Sequence, residues 1–408
     1  MFAACGSSKS PSPSDASDAH ENGHADAASD ATDGKKGEPS DALDAPSSDA
    51  SDGNVACAPA CAADKTCIDG ACLPSPVVLA RAPGCGAAHL ALADGNVYWT
   101  ESATGFVKTV AVANPGAMPA TIATHQMTPG PIATDGTAVY WGNAGDMTLM
   151  RATLGGDVDG GADGGATDGG VQPLLTSGSA VNGLLATGGF VYYTSGPSTL
   201  RVAGTGGAPL TLASFASCRP TSPFALALDT DYIYQTDSAN QYVTRLRKDG
   251  TQLVNSPCAD AGTAQIAAPE TVTHSQGELF LAAIYRAGDE VVWADHNNIY
   301  AKVPGAVAGR EVATSAGEDT ITGFVVTGAN VYLGEGVDQM TPTSDSIQVA
   351  PLGTPEGGAT PPAGNVIALG QHAAASFAAD ATHVYWTTHT PSTTAGAADD
   401  CAIVSLAK

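Results

Sequence analysis

Cations are scarce in this chain of 408 residues: 16 lysines and arginines stand against 41 aspartates and glutamates, a formal net charge of -25. A surface this acidic repels polyphosphates and anionic headgroups, which argues against nucleic acid or a charged lipid surface as the partner and leaves cations and basic partners open. No run of about 18 apolar residues occurs, so nothing reads as a membrane-spanning helix, and membrane contact is expected only through a lipid anchor. Also missing are a G-x-S-x-G elbow, an H-E-x-x-H pair and a phosphate-binding glycine loop, which removes the commonest local signatures of catalysis. Aromatic residues make up only 6% of the chain. Where they fall organises everything else.

Val97-Tyr98-Trp99-Thr100-Glu101 has six relatives, beginning at Val139, Val191, Ile233, Val291, Val331 and Val384, with steps of 42, 52, 42, 58, 40 and 53 residues. Periods in this range mark an array in which each unit buries its surface only against its neighbours. In the first unit His89 to Ala93 reads as an inner strand, Asp94-Gly95-Asn96 as a tight turn and Val97 to Glu101 as the second strand. Phe106 to Val112 and Ala120 to Thr124 follow as third and fourth strands. Further fourth strands are expected at 172–176, 209–213, 310–314 and 365–369, and a stray copy, Val77 to Ala80, precedes the first unit. The last unit stops at its third strand, Ala402 to Leu406, so the stray strand is expected to complete it. The fold class is therefore all-β: a seven-bladed β-propeller over residues 76–408, closed by an N-terminal strand that completes the last blade. Glu278 to Leu281 is taken as the inner strand of blade five. Long insertions are expected between third and fourth strands at 155–170 in blade two and 354–364 in blade six, with 249–277 lengthening blade four on a face left open.

Tyr98-Trp99-Thr100-Glu101, Tyr234-Gln235-Thr236-Asp237 and Val292-Trp293-Ala294-Asp295 resemble the YWTD class of β-propeller, and more loosely the TolB-like propellers. The resemblance implies a structural role for Glu101, Asp237, Asp295 and Glu335, as acids that make an inter-blade hydrogen bond and hold the following turn. It implies nothing specific about function, because propellers host binding, scaffolding and catalysis alike.

At the N-terminus, Phe2-Ala3-Ala4-Cys5-Gly6-Ser7 resembles the cleavage box of bacterial lipoproteins, which implies lipidation of Cys5 within a truncated signal segment, residues 1–6. The expected location is then the outer membrane or cell surface, otherwise secreted. Residues 7–56 carry 11 acids, three lysines and no aromatic residue, too little apolar surface to offset the entropy of ordering, and read as a disordered tether. Residues 57–73 hold Cys57, Cys61, Cys67 and Cys72 without the paired two-residue spacings of a zinc site. A small module with two disulfides is expected, its three pairings open. Two longer bridges are expected, Cys85 with Cys401 in the closing blade and Cys218 with Cys258 around blade four.

Candidate chemistry is sparse. Asp157, Asp159 and Asp163 in a glycine-rich loop are weak ligands for calcium, lacking the closing glutamate of an EF-hand loop, so no cofactor is expected. His89, Asn182 and Thr322 are the polar residues near an expected channel mouth, and His383 and His389 flank one strand. Propeller lactonases and related hydrolases set acidic and amide metal ligands on inner strands, where this chain has small or apolar residues. Two functions follow. One is a surface-tethered or secreted monomeric module that binds a protein or glycan ligand; the alternative is an extracellular or periplasmic hydrolase or lyase with a site at the channel mouth.

Overall fold

The second strands fold as they do because both of their faces are covered. Asn96–Glu101 is buried from Val97 onward and Ala138–Asn143 is buried throughout, so aromatic and β-branched residues fill both sides of the pleat. Trp99, Trp141 and Trp386 reach zero exposure. Truncating any of them to alanine removes burial worth about 3–5 kcal/mol.

The computed structural model describes residues 56–82, 87–154, 170–214, 223–237, 242–251, 254–255, 270–274, 283–295, 297–307, 309–315, 320–336, 345–353, 364–372, 374–390 and 400–408, all within one compact unit, Gly53–Lys408. Cys5, the tether up to residue 55, Cys85, Asp157, Asp159, Asp163, Cys218 and Cys258 lie outside the described residues, as do 278–281.

Seven antiparallel sheets carry the chain, each hydrogen-bonded in the order inner, second, third, outer. Their inner strands are Ala87–Ala93, Pro129–Thr134, Val181–Thr187, Pro223–Leu228, Ile284–Ala287, Thr320–Thr327 and Ala375–Ala379. Each inner strand packs on the next and the seventh packs on the first, which closes a ring around a central axis. The ring is a seven-bladed β-propeller. Its seam is the expected one: Val77–Arg81 pairs antiparallel with Asp400–Ala407, with Val77 opposite Ser405 and Arg81 opposite Ala402. Leu79 and Ile403 are fully buried in the core shared by blades seven and one.

Two strands of the ring differ from expectation. The inner strand of blade five is Ile284–Ala287, not 278–281, because the turn at Gly288 joins it directly to Glu290–Ala294, with Ala287 opposite Glu290. The outer strand of blade four is Glu270–His274, paired with Tyr242–Arg247. The long insertion of blade four therefore falls between its third and outer strands, as in blades two and six, so the strand ends that flank all three are on one face. Within it, Val254–Asn255 adds in parallel to Leu210–Ser214, the outer strand of blade three. In blade one the expected turn at Asp94-Gly95 has positive φ at both residues, 48° and 72°, the type I′ geometry that matches strand twist.

The cysteine module is a hairpin, Lys65–Ile68 with Ala71–Pro74. Its bridges are interleaved, Cys57 with Cys67 and Cys61 with Cys72, at Cα separations of 5.8 and 5.5 Å. It is not a free bead: its first strand touches the outer strand of blade six, Asn365–Leu369, and Ile68 is buried. This covers part of a sheet edge that would otherwise stand open.

Candidate functional site at the mouth of the axial channel

Antiparallel connectivity divides the loops between two faces. The turns after inner strands share one face with the long insertions. The opposite face, here the hairpin face, carries the turns between second and third strands together with the links from one blade to the next. Inner strands begin on the hairpin face, and in six of the seven their register breaks there, at residues 88, 130–131, 182, 224–225, 322 and 376–377. Bulges of this kind re-aim side chains and concentrate beside functional sites.

Most polar groups at this mouth are consumed by the ring itself. Thr100 Oγ1 donates to Gly130 O at 2.7 Å and Thr194 Oγ1 to Phe224 O, each reaching the inner strand of the next blade. Blade six has Gly334 at that position, where a Cβ would lie 2.8 Å from Thr322 Oγ1 and 2.9 Å from Phe377. Thr322 takes over the bond, donating from the inner strand to Ala374 O of blade seven. Thr322 is thus a structural tie between blades.

The repeat acids are tied in as well, within their own blades. Glu101 accepts from Trp99 Nε1 at 3.1 Å and Thr104 Oγ1 at 2.7 Å, and pairs with Lys108 at 2.9 Å. Asp295 accepts from the N–H groups of Asn297 and Asn298, and Glu335 from Gln348 Nε2. The expected hold on the following turn is seen at Glu101 and Asp295. The partners described for Glu101 and Asp295 lie in their own blade, on the adjacent third strand or in the hairpin turn. Asp237 is buried at the equivalent place in blade four.

Among the described residues near the mouth, His89 lies in the quadrant where blades six, seven and one meet and Asn182 lies in blade three. His89, on the inner strand of blade one, is half-buried, and no hydrogen-bond partner is described for its ring. Burial pulls its imidazole down to about 4, so it is neutral at pH 7. The next residue, Leu90, donates its N–H to Ser376 Oγ of blade seven at 2.9 Å. Ser376 has φ of +42°, a left-handed backbone that a serine adopts only where its surroundings impose it. Asn182, at the bulge of blade three, is half-buried with no described partner for its amide.

A side-chain pair absent from the candidates above stands beside this quadrant. His372, in the link from blade six to blade seven, points Nδ1 at Asp345 Oδ2 at 3.1 Å, and Asp345 is buried at the start of a third strand in blade six. A carboxylate acceptor requires the proton on Nδ1, so in the neutral tautomer Nε2 is the acceptor nitrogen. A Cβ at Gly336 would lie 3.2 Å from Thr322 Cγ2 and 3.3 Å from Asp345 Oδ1, so the pair adjoins the channel mouth. Gln371 fixes the link by accepting from Trp386 Nε1 at 3.1 Å. Gln126 does the same for Trp141 in blade two.

The other candidates do not converge. His383 and His389 lie six residues apart on one strand, His383–Thr390, hence roughly 20 Å apart along it. Among the described residues the one cluster with metal-like ligand spacing is Cys57, Cys61 and Cys72, whose sulfurs are in disulfides.

No model of a known protein family matches the chain, and no curated protein does. Among solved structures, a catalytically inactive histidine variant of virginiamycin B lyase from Staphylococcus aureus, solved with quinupristin, aligns over 81% of this chain and 98% of its own. The TM-score is 0.53 and the identity 12%. A streptogramin B lyase structure aligns over 81% and 97%, with a TM-score of 0.52 and 10% identity. A nidogen/laminin complex aligns over 55% and 79%, with a TM-score of 0.42 and 16% identity. At such identities the two lyases share the fold with this chain.

Proposed function

We propose that this chain is an exported binding module, a rigid disc that takes a protein or glycan ligand on its hairpin face at the junction of blades six, seven and one. The observation that carries the reading is the half-buried, neutral imidazole of His89 at the channel mouth, for which no hydrogen-bond partner is described, beside threonines whose hydroxyls are consumed by blade-to-blade bonds. Neutral donors and acceptors beside a strained bulge suit recognition of hydroxyl and amide groups. Anchorage through a lipidated Cys5, by way of the acidic tether, would hold the disc at a bacterial surface as a monomer. The test is a glycan array, followed by titration of any hit against the intact chain and against His89→Ala and Asn182→Ala. Binding that survives both substitutions unweakened would sink the reading.

A second reading is an enzyme, and the observation that favours it is the pair Asp345 and His372. A buried carboxylate that orients a partly exposed imidazole is the arrangement of a general base. One aligned lyase was solved with quinupristin, which makes that compound the first substrate to try. Quinupristin incubated with the chain would gain or lose mass, or change its retention, if turned over. No change with the intact protein, or equal turnover by His372→Ala, would eliminate this reading.

A further inference from the structure

The opposite face carries a feature that the channel mouth does not explain. In a chain so short of cations, four arginines and a lysine meet across blades three to five, interleaved with aromatic rings. Arg201 lies 4.5 Å above the ring of Phe190. Arg245 and Arg247 lie 4.5 and 5.6 Å from Tyr232. Lys248 is 5.8 Å from Tyr192 and Arg286 4.9 Å from Tyr234. The lattice crosses blade seams, for Arg201 Nη1 donates to Lys248 O at 2.7 Å and Lys248 Nζ to Asp229 O at 3.0 Å.

Rings lie against all five of these cations, and backbone carbonyls also hold Arg201 and Lys248; the acids beside them include Asp229 at Arg286 and Asp249 at Arg247. Arg286 pairs with Asp229 at 3.8 Å. For Arg201, Arg247 and Lys248 no ion pair is described among the described residues. The nearby carboxylates are occupied in their own turns: Asp229 accepts from Tyr234 Oη at 2.7 Å and from the N–H groups of Asp231 and Tyr232, and Asp249 accepts from Thr251 N and Oγ1. Phe190 and Leu210, each 38% exposed, border the patch. Arginine and aromatic residues around a small apolar border form the composition of an interface centre. A guanidinium already stacked on a ring loses little freedom when a carboxylate binds it through two parallel hydrogen bonds.

We propose that Arg201, Arg247 and Lys248 form a docking surface for a carboxylate-rich peptide segment of a partner protein. Charge complementarity selects that occupant. The rest of this acidic surface repels a long polyanion, whereas a short acidic segment reaches the patch within the screening length of about 8 Å at physiological salt. The surface is independent of the channel mouth and uses the other face of the disc.

The test is fluorescence anisotropy on the full chain with a short fluorescein-labelled peptide of alternating glutamate and serine. The expected result is saturable binding that weakens as salt is raised and vanishes when glutamine replaces glutamate. Arg247→Ala, which removes no described hydrogen bond, should weaken binding about tenfold, and the double variant with Arg201→Ala further still. Lys65→Ala, on the cysteine module, and His89→Ala should leave it unchanged. Failure to bind at low salt, binding indifferent to Arg247→Ala with an unchanged melting curve, or preference for polygalacturonate over the peptide would each overturn the proposal.

Discussion

Removing one hydroxyl from blade seven should cost more than removing its counterpart from blade two, and hydrogen-bond geometry sets the order. In three blades the turn after the inner strand begins with an aspartate five residues before the motif tyrosine: Asp135 with Tyr140, Asp229 with Tyr234 and Asp380 with Tyr385. Asp380 Oδ1 accepts from the N–H groups of Thr382 and His383 at 2.7 and 2.8 Å, while Oδ2 accepts from Tyr385 Oη at 2.6 Å. Tyr234 makes the equivalent bond at 2.7 Å. Tyr140 makes it at 3.2 Å and also reaches Gly204 O at 3.4 Å. A hydrogen bond to a charged group contributes about 1.5–3 kcal/mol, and water reaches the exposed Asp380 to offset part of it, so Tyr385→Phe should cost roughly 1–2 kcal/mol. Tyr140→Phe should cost less. Burial alone would raise the Asp380 carboxyl, but the bonds from Tyr385, Thr382 and His383 outweigh it and hold it at about 2. Its pKa in the unfolded chain is about 3.9, so this contribution is complete above about pH 4 and is lost as pH falls through about 2. Thermal melting of Tyr385→Phe against wild type should therefore show a constant gap from pH 7 to 4 that narrows below it. A gap that widens in acid, or a larger loss from Tyr140→Phe, would refute the assignment.

Trp293→Phe should cost only the buried volume it removes, because no partner is described for its indole N–H; Trp99→Phe should cost roughly 1 kcal/mol more, because Glu101 loses one of its three described partners. Urea titration of the two variants checks the contrast. Gly183→Ala should destabilise by about 3 kcal/mol or more, since its Cβ would sit 1.8 Å from Phe224 O on the next blade, and poor soluble yield or a much lower melting temperature is the expected reading. Cys401 is buried and disulfide-bonded, and Ala82 N donates to Cys401 O at 2.8 Å, three residues short of Cys85. A non-reducing peptide map should join Cys401 to Cys85, and Cys85→Ser should make Val77–Arg81 the first strand to exchange its amides.

The ring was readable because second strands are buried on both faces, which forces Val-Tyr-Trp or a close variant into nearly every copy. Blade five departs from this: its second position is Val292, and a tyrosine stands directly across the strand pair as Tyr285, packed edge-on against Phe324 of blade six at 5.1 Å. The aromatic volume is kept while its place in the sequence moves, so the more apolar stretch at 278–281 imitates an inner strand. The outer strand of blade four, Glu-Thr-Val-Thr-His, has one apolar residue and offers little pattern to read. Asp345 and His372 belong to different loops 27 residues apart and meet only through the fold. A signal for their neighbourhood did exist, in the shared spacing of 15 residues from Gln126 to Trp141 and from Gln371 to Trp386.

The two faces of the disc follow from one topological fact. Inner strands start on the hairpin face, where neighbouring backbones come so close that Gly183 and Gly334 tolerate no Cβ and threonines must bridge blade to blade. Crowding there favours small polar groups, and among the described residues the rings and amides left with no described partner include His89 and Asn182. At the other face the third strands end and diverge, so long side chains fit across the seams. Arg201 and Lys248 span blades three and four there, and Arg286 reaches from blade five to Tyr234. A face built of short neutral groups suits a ligand that inserts, and a face built of long cations on aromatic rings suits one that lies flat. His89→Ala and Arg247→Ala should therefore affect different ligands, and a single ligand lost equally by both would mean that the faces do not act separately.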